Sequence, residues 1–273
     1  MDRKAVDKVA ILAGGLGIRM MAHNGTTLNA QQEAVADTGV KAMIPIKRPF
    51  LDYVLSTLAD AGYKNVCLVV GPEHDRIRDY YGNELATTRL EISFAVQAEP
   101  LGTADAVLAA EAFADGEDMV ALNSDNYYPL EALRALRELN GAGAAMFSRK
   151  SLLANSNISP ERVRSSAVAH IGADGFLHDI LEKPDEETLN SLPEPLYVSK
   201  NCWRFTPKIF EACRKIEKSS RGEFELPDAV RYAMEELGER FRIVPAEGMV
   251  LDLSYRSDIR EVTRRLENVP VNL

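Results

Sequence analysis

A chain of 273 residues, 46% hydrophobic and 27% charged, has room for a substantial core and the composition of a soluble globular protein. Its net charge of −9 argues against a nucleic-acid-coating surface, which needs a basic stripe, and no stretch reaches the length of a membrane span. Cys67, Cys202 and Cys213 lack the spacing of a zinc site or a disulfide framework, and the charged start runs straight into a strand without a signal peptide, so the expectation is a cytoplasmic protein.

Val9–Ala13 is a short apolar run, of strand length and too short for a helix. It ends at Gly14 and Gly15, with Gly17 following, so the backbone can turn tightly and approach a ligand closely. Exposed N–H groups in such a turn form an anion cradle, and Arg19 adds a charged fork suited to phosphate oxygens. Taken alone, the same residues would also serve an ordinary strand-to-loop turn with a surface arginine. Two other phosphate motifs do not apply. The Gly-Lys pair of a P-loop occurs nowhere, and a dinucleotide fingerprint aligned on Gly15 and Gly17 meets Met20 where Gly or Ala is required.

Residues 20–40 read as irregular, with a short helical piece. The spacing of Phe50, Tyr53, Val54 and Leu58 predicts a helix from Pro49, stopped by Gly62. Val66–Val70 is a strand, Glu73–Tyr81 a helix closed by Gly82, and Ile92–Val96 a strand ending at Gln97. Thr103, read as an N-cap, begins an alanine-rich helix to Ala112. Met119–Leu122 is a strand ending in Asn123-Ser124-Asp125-Asn126, Pro129 opens a helix to Leu139, and Ala144–Phe147 is a further strand. Residues 150–165, rich in Ser and Asn, read as loop. Ala167–Ile171 and Phe176–Leu181 flank a Gly-Ala-Asp-Gly hairpin turn, followed by a strand at Tyr197–Phe205. Helices at Thr206–Ile216 and Leu226–Leu237, short strands at Phe241–Val244 and Met249–Leu253, and a helix at Asp258–Leu266 complete the chain. The alternation predicts an α/β fold with a largely parallel sheet.

Open α/β sheets bind ligands at the carboxyl ends of their strands. Those ends carry Gly14–Arg19, Gln97, Asp125, Glu182-Lys183 and Asp252. A phosphate turn, carboxylates for a hard metal, cations and an amide suit nucleotidyl transfer better than hydride transfer or hydrolysis.

In this order the segments resemble the sugar-1-phosphate nucleotidyltransferases, the NDP-sugar pyrophosphorylases, over nearly the whole chain. Gly14-Gly15-Leu16-Gly17-Ile18-Arg19-Met20 is similar to the family's opening signature, with Ile18 where threonine is usual. Val40–Ile46 resembles the lysine segment, Gln97 with Pro100–Ala104 the base-recognition segment, and Leu122–Asp125 the metal aspartate. Glu182-Lys183-Pro184 resembles the sugar-phosphate motif, and Glu223–Asp228 with Leu251-Asp252 the later region.

The resemblance implies a Rossmann-like three-layer α/β/α fold with a mixed, mostly parallel central sheet and an inserted β-rich substrate lobe. It implies one nucleotidyltransferase domain, with a nucleotide-binding half over about residues 1–150 and a sugar-phosphate half over about 151–273. The implied reaction is NTP plus sugar 1-phosphate giving NDP-sugar and pyrophosphate, by Mg²⁺-dependent in-line transfer. Arg19, Lys41 and Lys183 are the implied catalytic cations. Leu12, Gly14, Gly15, Gly17, Arg19, Gln97, Gly102 and Thr103 would bind the nucleotide. Glu182, Lys183 and Asn201 would bind the sugar phosphate, and Asp125 and Asp252 the metal. The implied partners are an NTP and a sugar 1-phosphate or related phosphate, with no nucleic acid and no membrane. Base, sugar and homo-oligomer formation are left open. The alternatives are a catalytically silent nucleotide-sugar-binding regulatory subunit, and a nucleotidyltransferase acting on a cyclitol or other non-sugar phosphate.

Four further departures from the family pattern are visible. The segment between Arg19 and Lys41 is long, Ser166-Ala167 stands where a glycine step is usual, and Asn201 aligns with a glycine beside the sugar. Ser254-Tyr255 follows Asp252 where Gly-Thr is usual. With the chain ending at Leu273, the β-helix extension of some relatives, and with it a bifunctional acyltransferase, is not expected.

Overall fold

The computed structural model describes residues 5–181, 184–192 and 194–273. The first half runs β1 (Lys8–Leu12), α1 (Ile18–Met21), α2 (Ala30–Ala36), a 3-10 turn (Lys41–Met43), α3 (Phe50–Asp60), β2 (Asn65–Val70) and α4 (Asp75–Asp79). A π-type turn (Tyr80–Glu84), β3 (Glu91–Val96), α5 (Thr103–Ala109), α6 (Glu111–Ala114), β4 (Met119–Asn123), β5 (Asn126–Tyr127) and α7 (Leu130–Glu138) follow. Next come β6 (Gly143–Ser148), α8 (Arg149–Asn155), α9 (Pro160–Arg164), β7 (Val168–Ile171), β8 (Leu177–Leu181) and α10 (Glu186–Ser191). The chain closes with β9 (Tyr197–Phe205), α11 (Lys208–Lys215), α12 (Leu226–Glu235), β10 (Arg242–Ala246), β11 (Leu251–Asp252) and α13 (Arg256–Leu266).

The central sheet has the order β10-β6-β9-β4-β1-β2-β3, with β7 and β8 branching from β9. β1 pairs in parallel with β2 and β4, and β2 with β3, whereas β9 runs antiparallel between β4 and β6. The mixed sheet expected from the sequence is therefore present, and the β7–β8 hairpin forms the inserted piece.

The central strands are continuous apolar runs because helices cover both faces. Alternation along β1 sends Val9 and Ile11 to a core shared with α3, α7 and α13, and Ala10 to a core shared with α5, α11 and α12. The second core is rich in alanine (Ala10, Ala104, Ala106, Ala121), whose small side chains let α5 lie close to the sheet. Both layers leave the carboxyl ends of β1, β3 and β4 open on one side, where the glycine turn, Gln97 and Asp125 stand. Among the described residues no helix is long and apolar enough to cross a membrane.

Several local expectations are corrected. Residues 150–165 are not loop: they hold most of α8 and all of α9. Serines start both helices: Ser148 Oγ, just before this stretch, accepts from Ser151 N–H, and Ser159 Oγ within it from Arg162 N–H, with Pro160 opening α9. Thr103 does not cap α5. Gly102 does, at φ +118°, while Thr103 Oγ1 accepts the Leu226 N–H at 3.0 Å and ties α5 to α12. The alanine-rich helix breaks at Ala110, and α6 follows. The helix expected at Glu73–Tyr81 begins at Asp75, and Gly82 lies inside the π-type turn rather than beyond a helix end.

Candidate active site

Between β1 and α1 the backbone N–H groups of residues 14–19 have no hydrogen-bond partner among the described residues. Their neighbours do: Ala13 N–H donates to Val69 O at 2.7 Å, and Met20 N–H to Gly17 O at 2.8 Å. Such unpaired donors persist where solvent or an anion can reach them. Gly17 sits at φ +61° and Gly39 at φ +75°, and the two segments meet backbone to backbone. A methyl group on Gly17 would stand 2.0 Å from the Gly39 carbonyl oxygen.

That docking delivers Lys41. Its N–H donates to Gly39 O at 2.9 Å, and its Nζ reaches Asp125 Oδ2 at 2.8 Å. Asp125 lies between β4 and β5 and is held by its own carbonyl, which accepts the Leu253 N–H at 2.8 Å. Lys41 and Asp125, with side-chain exposures of 15% and 19%, remain open to a ligand.

Gln97 ends β3 with its side chain buried against the glycine turn. Its Nε2 donates to Gly102 O at 3.0 Å and to Asp105 Oδ2 at 2.9 Å. Gly102 needs its positive φ and its missing side chain: a methyl there would lie 2.5 Å from Phe224 O. The docking is completed by Ala104 N–H to Phe224 O and Phe224 N–H to Leu101 O. Leu12, Gly14, Gly15, Gly17, Arg19, Lys41, Gln97, Gly102, Thr103 and Asp125 thus line one cavity of about 600 Å³.

Asp252 reaches the same region from β11, whose antiparallel pairing places it opposite Asn126. Asn157 brackets its backbone, donating to Asp252 O and accepting from Asp252 N, both at 2.8 Å. The Asp252 carboxylate faces Arg162 at 2.5 Å and Lys200 at 3.8 Å. Burial alone would push this carboxyl up, but Arg162 and Lys200 outweigh it and hold it below the ordinary value. Burial lowers the Lys200 ammonium despite the nearby Asp252. Arg162 also binds Asp258 at 2.8 Å, and both Arg162 and Arg19 lie over the Tyr255 ring, at 5.0 and 5.2 Å.

Asn201 stands beside Lys200 in a bulge of β9, where the pairs Trp203↔Ala144 and Ser199↔Met146 leave residues 200–202 opposite Ala145 alone. Its φ is +51°, and its Nδ2 lies 3.5 Å from Asn123 Oδ1. Asparagine tolerates the left-handed region better than most residues, so it holds a backbone shape that glycine would otherwise supply. Lys200 Nζ donates to Ser166 Oγ at 3.3 Å. Glu182 and Lys183 lie outside the described residues.

Asp125 and Asp252 offer hard oxygen donors on adjoining ends of the β5–β11 pair, a donor set that fits a divalent cation such as Mg²⁺. Another cluster, His23, Glu33 and Asp37, brings ligand atoms within 4.8 Å of one another. Buried Arg256 reaches Glu33 at 2.7 Å and also binds Asp37, so these carboxylates serve an ion pair in this structure. The long segment after Arg19 is thereby tied to α13.

Arg162, Lys200 and Asn157 escaped the sequence reading. The first and last lie in the stretch read as loop; Lys200 had a usable signal, its position next to Asn201 on a strand leading to the site.

The profile of the family described as "Nucleotidyl transferase" matches residues 8–252. The low-salt glycan biosynthesis nucleotidyltransferase Agl11 of Haloferax volcanii is 26% identical over 263 residues, covering 94% of this chain. The chain spans 65% of Agl11, less than two thirds of its length. The UTP–glucose-1-phosphate uridylyltransferase AglF of the same organism is 25% identical over 264 residues, 95% of this chain and 96% of AglF. A solved UDP-glucose pyrophosphorylase complexed with UDP-glucose shares the fold, with a TM-score of 0.74 over 97% of this chain and 100% of its own, at 20% identity.

Proposed function

The chain belongs to the nucleotidyl transferase family, and on that premise we propose that it is a sugar-1-phosphate nucleotidyltransferase, converting NTP and sugar 1-phosphate into NDP-sugar and pyrophosphate. The observation that carries this reading is the run of unpaired N–H groups at residues 14–19, next to Arg19 and the Lys41–Asp125 pair in one cavity. Agl11, named as a nucleotidyltransferase, and AglF, named as a UTP–glucose-1-phosphate uridylyltransferase, support the reaction class.

In this reading an oxygen of the acceptor phosphate forms a bond to the α-phosphorus of the NTP as the bond to the β-phosphate oxygen breaks, and pyrophosphate leaves. The chemistry needs positioning and charge neutralisation more than proton transfer. The glycine turn cradles the triphosphate through its N–H groups. Arg19 faces the leaving pyrophosphate and Lys41 the α-phosphate. Asp125 and Asp252 would hold Mg²⁺, which when bound neutralises phosphate charge. Arg162, by pairing with Asp252 and Asp258, fixes the Asp252 carboxylate in place.

The nucleotide belongs to about residues 1–150 and the acceptor to the remainder. There Lys200 lies between Ser166 and Asp252, with Asn201 next to it on β9. Glu182 and Lys183 are assigned to the same acceptor by sequence.

Pyrophosphate release from mixtures of NTPs and sugar 1-phosphates with Mg²⁺ tests the reading. Release is expected only when both substrates are present, lost on chelation, and lowered at least ~10²-fold by Asp125→Asn. No release with any pair, or full release in the presence of a chelator, would contradict it.

A further inference from the structure

Arg19, the cation assigned to the leaving pyrophosphate, takes its direction from a distant part of the chain. It sits on α1, a turn of four residues, where it is exposed, and among the described residues its guanidinium has no hydrogen-bond or ion-pair partner. An arginine so placed has many rotamers open to it and gives up that freedom when it grips an anion. The contact that limits it is with Tyr255, whose ring centre lies 5.2 Å from the guanidinium carbon.

Tyr255 is itself held on several sides. It is the N-cap of α13: its N–H donates to Asp258 Oδ2 at 2.8 Å, and its carbonyl accepts the Asp258 N–H at 3.0 Å. Ile259, Val262 and Leu266 anchor α13 in the core. Arg162, paired with Asp252 and Asp258, lies over the same ring at 5.0 Å. Buried Arg256 donates to Met21 O at 3.4 Å and so ties the end of α1 to the start of α13. The ring is therefore a fixed platform, and an aromatic face attracts a guanidinium within about 6 Å of its centre. Tyr255 stands where threonine is usual in the family, a residue with no such face to offer.

We propose that Tyr255 is a positioning residue whose ring holds the Arg19 guanidinium ready for pyrophosphate, steadying a cation that α1 alone leaves free to swing. Tyr255 acts through Arg19 and needs no contact of its own with the substrate. This inference rests on the nucleotidyl-transfer reading, in which pyrophosphate is the leaving group.

The test is calorimetric binding of inorganic pyrophosphate with Mg²⁺ to the intact chain, to Tyr255→Leu, Tyr255→Phe and Arg19→Ala, and to the double variant Arg19→Ala, Tyr255→Leu. Tyr255→Leu should weaken binding about fivefold, the scale of one cation–π contact, whereas Tyr255→Phe keeps the ring and should stay within about twofold of the unaltered chain. With Arg19 already removed, Tyr255→Leu should cost nothing further, because the group through which it acts is gone. A merely structural role would weaken binding equally in both backgrounds. In the unaltered chain, proton NMR should show the Arg19 side-chain methylenes shifted upfield by the ring, a signature that requires no variant to fold. Unshifted Arg19 protons, unchanged affinity in Tyr255→Leu, an equal loss in Tyr255→Phe, or an equal loss with and without Arg19 would overturn the proposal and leave nucleotidyl transfer standing. Failure of the unaltered chain to bind pyrophosphate would contradict the nucleotidyl-transfer reading and the proposal with it.

Discussion

Gly17 and Gly39, twenty-two positions apart, pack so closely that neither can carry a side chain: a methyl on Gly17 would meet Gly39 O at 2.0 Å, and one on Gly39 would meet Leu16 O at 2.4 Å. Both occupy the left-handed region, at φ +61° and +75°. The contact fixes the phosphate turn against the segment that ends in Lys41, so cradle and cation are set by one backbone junction.

Gly39→Ala should therefore damage activity and stability together. The left-handed conformation alone costs about 1–2 kcal/mol for an alanine, and the clash with Leu16 O adds to it. Gly25→Ala is the control, since Gly25 has φ +79° but open space around its Cα. Thermal melting and turnover number measure the outcome: Gly25→Ala should lower only the melting temperature, modestly, whereas Gly39→Ala should also cut turnover at least about tenfold. Equal effects of the two changes would show that the junction does not position Lys41.

Lys41→Ala should lower kcat by about 10²–10³-fold with little change in the KM for NTP, because a cation placed on the reacting phosphate acts most strongly in the transition state. Steady-state kinetics with saturating acceptor separate the two parameters. A rise in KM at constant kcat would place Lys41 on a part of the nucleotide that does not react.

The sequence showed the strand ends, the glycine turn and the carboxylates because each rests on local chemistry: Gly14, Gly15 and Gly17 after an apolar run, Asp125 after β4. Tyr197–Phe205 was legible to the residue as β9. What stayed hidden depends on contacts between distant segments. Arg162 matters through Asp252 and Asp258, about ninety positions away, and nothing local marks that pairing. Thr103 looks like a cap, yet its hydroxyl is taken by Leu226 N–H from across the fold. Ser159, within the stretch read as loop, caps α9, because serine serves both turns and helix starts.

At the β9 bulge, Asn201→Gly should preserve the melting temperature, while Asn201→Ala should cost about 1–2 kcal/mol in urea unfolding, since only the first suits φ +51°. Unfolding curves that rank alanine equal to glycine would remove the backbone argument for Asn201.

Lys200→Met keeps the aliphatic stem and deletes the charge beside Asp252 and Ser166. It should raise the KM for the sugar phosphate on the order of tenfold, the scale of a hydrogen bond to a charged group, and leave the KM for NTP within about twofold. An effect confined to the NTP would move the acceptor site away from β9.

The central claim is that an acceptor phosphate oxygen attacks the α-phosphorus of an NTP in this cavity. The most direct measurement is phosphorus NMR of the products formed from unlabelled NTP and a sugar 1-phosphate whose phosphate carries oxygen-18. The account predicts that the label appears in the diphosphate of an NDP-sugar, including its bridge, and that pyrophosphate is unlabelled. Label in pyrophosphate, or hydrolysis of the NTP with the sugar phosphate unchanged, would contradict it.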